Sequence, residues 1–135
     1  MNLLSVICLL LFTAATGSAM GAENWVPIGK SAEGAIFIVN FQWVKPGAAE
    51  QKIMTLVNLP GVKTDPKSGV RYRSTVNFQI ADCKGKRLAD KLTMAYAELN
   101  MKGSPVGQVE FEPPSWESAT PGSVNRMIVD AVCRM

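Results

Sequence analysis

The residues able to do chemistry in this chain are few: two cysteines, one pair of carboxylates and a set of cations. The 135 residues include three cysteines and no histidine. Without histidine there is no usual base for a nucleophilic triad, no ordinary proton shuttle near neutral pH, and none of the commonest transition-metal ligand. Cys8 falls in an uncharged apolar N-terminus, which leaves Cys83 and Cys133. They lack the partners and spacing of a zinc site and the Cys-x-x-Cys arrangement of a redox pair, so a structural bridge is expected of them. Glu110 and Glu112 share one face of a strand and are the one pair placed for general acid–base work. The charges of a solvated edge strand account for them more simply. No glycine cluster stands between strand and helix as a phosphate cradle. No catalytic residue, metal or cofactor is expected.

The cations are better placed for binding. Lys84, Lys86, Arg87 and Lys91 follow Cys83, and Arg71 and Arg73 occupy the wet positions of the preceding strand. Together they read either as a patch for an anionic glycan, a phosphate or an acidic protein surface, or as a solvated turn beside an exposed strand face. Trp43 precedes Val44-Lys45-Pro46-Gly47, a loop setting that would expose it. The other tryptophans and the tyrosines read as core, where aromatic burial contributes most. Net charge +3 permits contact with anions without requiring it. Nucleic acid is not expected, because no recognised binding motif accompanies the charge.

The elements that must position these groups are mostly strands. Residues 3–15 form an apolar run without charge, too short to span a membrane and followed by small residues. This is the pattern of a secretory signal peptide over residues 1–19, with cleavage as late as residue 22 as the alternative, and residues 20–135 form one domain. An exported protein in the periplasm, on the outer surface or secreted is expected, with no transmembrane segment after cleavage. In an oxidising compartment Cys83 and Cys133 are expected to pair. Strands are expected at residues 25–28, 35–41, 51–58, 70–83, 88–100 and 108–112, with residues 60–69 an exposed loop. Within residues 70–83, Val70, Tyr72, Val76, Phe78 and Ile80 alternate with polar side chains, which predicts a sheet with one packed face and one wet face. Thr120 and Pro121 read as the start of a helix whose apolar side is Val124, Met127, Ile128, Ala131 and Val132. Strands first and a helix last argue for an α+β fold, an antiparallel sheet covered on one face by one helix.

The order of several marks resembles the surface-adhesin protein E family. They are Trp25-Val26-Pro27-Ile28-Gly29, Ala81-Asp82-Cys83, Trp116 before Thr120-Pro121-Gly122-Ser123, and Val132-Cys133. The resemblance implies a six-stranded antiparallel sheet whose C-terminal helix is tethered by a Cys83–Cys133 bridge. It also implies an exported bacterial envelope protein that binds host matrix or serum proteins. A second class, a periplasmic carrier or sensor, would hold a small apolar ligand between helix and sheet, with Met94, Met101 and Met127 making the groove adaptable. An exposed strand edge would support a homodimer.

Overall fold

β-Branched and aromatic residues recur between short turn sequences along this chain, and each such run becomes a strand. A computed structural model describes residues 24–134. Within them lie β1 (Trp25–Lys30), β2 (Ile36–Asn40), β3 (Glu50–Thr64), β4 (Arg71–Asp82), β5 (Arg87–Tyr96), β6 (Gly107–Ser118) and the helix α1 (Val124–Cys133). Each strand pairs antiparallel with its successor, so the six-stranded sheet is an open meander with β1 and β6 at its edges. The signal segment expected at residues 1–19, its alternative cleavage point and Cys8 lie outside the described residues. No helix among the described residues is long and apolar enough to cross a membrane.

The tether decides which face of the sheet the helix covers. Cys83 and Cys133 form a disulfide with Cα atoms 5.5 Å apart. The Cys83 amide donates to the Ala49 carbonyl at 3.0 Å, so the β3–β4 ladder runs one step past β4. Successive side chains alternate between faces, which places Cys83 on the side of Ala81 and Gln79. There α1 packs, burying Ile128, Val129 and Val132 against Val39, Ile53, Ala81 and Leu88. The packed face is therefore not the Val76–Phe78–Ile80 parity that the alternation suggested. On that other face the short 3-10 turn Leu99–Met101 covers one end, where Leu56 and Val76 are buried, while Phe78 and Ile80 stay half-exposed.

Beyond the reach of α1, the helix-side face is closed by polar pairs across strands. The Thr55 hydroxyl donates to Gln79 Oε1 at 2.6 Å, and Gln79 Nε2 donates to Asp90 Oδ1 at 2.8 Å. The Thr93 hydroxyl donates to Asn77 Oδ1 at 2.9 Å. Buried Gln51 takes both polar groups of the Lys45 backbone, accepting from its N–H at 2.9 Å and donating to its carbonyl at 2.6 Å. These bonds explain how Gln51, Thr55 and Gln79 are tolerated in the interior: Thr55 and Gln79 find partners within the sheet, and Gln51 finds them on the β2–β3 loop.

Several boundaries differ from expectation. The strand expected at residues 88–100 ends at Tyr96, and Leu99–Met101 form a 3-10 turn instead, while β1 runs on to Lys30. β3 runs on to Thr64, so residues 60–64 are strand, and only the tip of residues 65–70 is a turn. An irregularity between Asn58 and Lys63 absorbs Pro60, and Arg73 donates to the Leu59 and Pro60 carbonyls left without ladder partners. β6 extends to Ser118 through Pro113 and Pro114, which an edge strand tolerates because its outer N–H groups have no partner to lose. The helix cap is Ser123, whose hydroxyl accepts from the Arg126 amide at 3.1 Å, and Thr120 and Pro121 lie in the preceding turn. Gly122 at φ +87° supplies the left-handed conformation that turn requires.

Candidate functional site

The six cations singled out in the sequence do not form one patch. Lys84 and Lys86 sit in the β4–β5 turn and Arg87 opens β5 beside them, whereas Arg71 and Arg73 begin β4. About nine residues of strand separate the groups, roughly 30 Å at strand rise. Arg73 is spent on the β3 backbone. Arg87 donates from Nε to Asp82 Oδ2 at 2.9 Å, and its guanidinium lies 4.2 Å above the Trp116 ring. Lys86 faces Asp130 across 3.8 Å. Lys84 and Arg71 are exposed. The turn is thus largely a structural corner: the Ala119 amide donates to the Lys86 carbonyl at 2.9 Å and fastens the end of β6 to it.

Asp82 anchors that corner. Its Oδ1 accepts from the Gly85 amide at 3.0 Å, and its Oδ2 takes the Arg87 bond. First the Gly85 N–H and then the Arg87 side chain hold the Asp82 carboxyl below its ordinary value of 3.8. A depressed folded pKa stabilises the protein above the unfolded value and loses that contribution as pH falls through the folded one. Asp82→Asn is therefore expected to melt below wild type by a constant margin above about pH 5, and the margin shrinks below roughly pH 4. Melting curves across that range check this, and a margin that grows towards low pH would contradict it.

Trp43 and Lys91 do come together. They line one shallow depression of about 290 Å³ with Lys52 and Phe78, over the bases of Ile53 and Gln79. Trp43 stays 40% exposed in the loop between β2 and β3. Lys91 is the extra residue of a bulge, since Phe78 pairs with Leu92 and Gln79 with Asp90. Lys52 and Lys91 stand two strands apart, so their Cα atoms flank β4 at roughly 10 Å. No carboxylate lines the depression. Among the described residues neither lysine has an acidic group within salt-bridge distance, unlike Lys86, Arg87 and Arg126. The sequence reading missed Lys52 and Phe78. Lys52 was an ordinary wet position on a strand, and Phe78 an ordinary core one, until β3 and β5 were placed on either side of β4.

A second concavity lies between α1 and the edge strand β1. Val26, Ile28, Phe41, Met127 and Ala131 line it, and Lys86, Asp130 and Arg134 stand at its rim. Of the methionines expected to shape a ligand groove, only Met127 is there. Met94 pairs with Val76 on the face away from the helix, and the Met101 amide donates to Ser74 Oγ beside the 3-10 turn. Met127 reaches across β1 because Gly29 has no side chain: a Cβ there would meet its sulfur at 3.1 Å. Under the middle of α1 the space is filled by fully buried Ile128, Val129 and Val132. Glu110 and Glu112 are exposed on β6, and no group of three or more metal-ligating side chains is present among the described residues.

A family model described as surface-adhesin protein E matches residues 25–134. No curated protein and no solved structure matches the chain.

Proposed function

The chain belongs to the surface-adhesin protein E family, and from that premise we propose a non-enzymatic exported binding protein that attaches to host matrix or serum proteins. The observation that carries the contact surface is the Trp43 depression: a part-exposed aromatic between Lys52 and Lys91, with no acidic residue in its lining. Such a site offers apolar area at its centre and exposed cations at its rim, which suits protein surfaces rich in Asp, Glu or sulfate. The β4–β5 turn is the weaker candidate, because two of its three cations already hold partners.

The test is binding of the mature protein to a panel of immobilised matrix and serum proteins. Lys52→Glu with Lys91→Glu is expected to weaken any positive interaction about tenfold or more, by replacing attraction with repulsion at the contact. Lys84→Glu with Lys86→Glu makes the same change in net charge and is expected to cost much less. Equal losses from the two pairs would reduce the effect to overall charge and remove the depression as the site. Absence of binding across the panel would remove the adhesive reading itself.

A further inference from the structure

The β3–β4 hairpin runs past its neighbours, since β2 ends opposite Asn58 and β5 opposite Ser74. The irregularity between Asn58 and Lys63 bends this extension, and the two Arg73 bonds hold the bend. Its tip is fixed in the same way. Asp65 Oδ2 accepts from the Ser68 amide at 2.9 Å and the Ser68 hydroxyl at 2.7 Å, and Ser68 Oγ accepts from the Val70 amide at 3.2 Å. The Asp65 amide donates to the Val70 carbonyl at 2.8 Å and closes the loop, with Gly69 at φ +75°. The tip thereby comes back over the sheet, and Val70 lies against Gly107 at the start of β6.

Beneath this overhang is a pocket of about 300 Å³, walled by Tyr72, Thr75, Thr93, Val109, Gln108 and Asp65. Its volume is at the lower end of small-molecule sites, and its walls are apolar surface set with a few polar groups. Among the described residues the Tyr72 and Thr75 hydroxyls make no side-chain hydrogen bond, and both Ser68 bonds to the Asp65 carboxylate go to Oδ2. No lysine or arginine lines the pocket, so an anion inside it would meet the Asp65 carboxylate with no cation in the walls beside it. A purely apolar ligand would strip water from those hydroxyls and replace nothing.

A neutral ligand with hydroxyls around an apolar ring face satisfies both constraints. We propose that the pocket under the β3–β4 tip binds a single neutral pyranose residue. Tyr72 and Val109 meet the C–H face of the sugar, and Thr75 and Asp65 bond its hydroxyls. The pinned overhang leaves little to order on binding, which is the way a small site gains affinity. The pocket shares no lining residue with the Trp43 depression, and the inference stands whether or not the protein adheres to matrix.

The experiment is an NMR titration of the isotopically labelled mature protein with the methyl glycosides of glucose, galactose, mannose and N-acetylglucosamine. At least one is expected to give saturable shifts at the amides of Ser68, Gly69, Thr93 and Val109, with dissociation in the millimolar range usual for so small a ligand. Gly107→Val narrows the pocket, its Cβ meeting Val70 at 3.8 Å and Ala95 at 4.0 Å, ordinary contact distances, and the amide spectrum of the free variant reports whether the fold is kept. The variant is expected to weaken binding about tenfold or more. Tyr72→Phe keeps the ring and is expected to weaken it only a few-fold. The proposal is overturned if none of the four sugars saturates, if the shifts map away from the pocket, or if Gly107→Val titrates like wild type.

Discussion

Replacing Cys83 and Cys133 together by serine is expected to lower the free energy of unfolding by about 4 kcal/mol. The bridge joins residues 50 apart in sequence, so it removes a long loop's freedom from the unfolded chain. That is a large share of the roughly 5–15 kcal/mol by which domains of this size are usually stable. It also matters because the interior under α1 is small, built around Val39, Ile53, Ala81, Leu88 and three helix residues. Urea unfolding of the double variant against the oxidised protein should show a midpoint about 2–4 M lower, with a somewhat steeper slope because the uncrosslinked unfolded chain exposes more surface. A loss below about 1 kcal/mol would mean that the reduced unfolded chain is already compact, or that the bridge strains the native fold. The melting temperature should fall by roughly 15–20 °C, and reductant added to wild type should give the same result.

How far the fold was legible depended on whether a signal was local or came from across the sheet. The strand alternation and the helix periodicity are properties of single segments, and the pairing of Cys83 with Cys133 follows from the cysteine count alone; all appear in the structure. The choice of face needed one more step. Phe78 and Ile80 form the apolar parity of β4, yet α1 lies over Ala81, on the opposite parity. Cys83 has the parity of Ala81, so the disulfide already implied this face, and hydrophobicity alone pointed to the wrong one. Small Ala81 lets the helix approach, and the polar side chains beside it are satisfied by cross-strand bonds invisible in one strand at a time. The sites follow the same rule. Arg71 and Arg73 seemed to join Lys84, Lys86 and Arg87 because they are near in sequence, but an extended strand carries them apart. Lys52 and Lys91 are 39 positions apart in the chain and meet because β3 and β5 flank β4. The pocket under the hairpin tip depends on a bend at Asn58–Lys63, which in the sequence looked like an ordinary proline- and glycine-rich loop.

Ile128→Ala is expected to cost about 2–5 kcal/mol, while Met127→Ala, one residue earlier, costs about 1 kcal/mol. Both remove an apolar side chain of similar size from the same helix, so their difference reports what each touches. Ile128 is 1% exposed and sits between α1 and the sheet, where its loss leaves a cavity the surrounding strands cannot collapse into. Met127 is 40% exposed in the open groove beside β1, where water takes the vacated space. Combining Ile128→Ala with the serine pair separates two accounts of the tether. If the bridge acts by restricting the unfolded chain, the two losses add to within about 0.5 kcal/mol, because one changes the unfolded state and the other the native core. If α1 instead leaves the sheet once the tether is cut, Ile128 no longer packs against anything and its truncation costs nothing further. The buried contacts of Ile128, Val129 and Val132 with Val39, Ile53, Ala81 and Leu88 favour the first outcome, since departure of the helix would expose that whole cluster to water. Urea unfolding of the four proteins, followed by tryptophan fluorescence and far-UV dichroism together, decides between them: coincident transitions and additive losses mark a helix that unfolds only with its sheet.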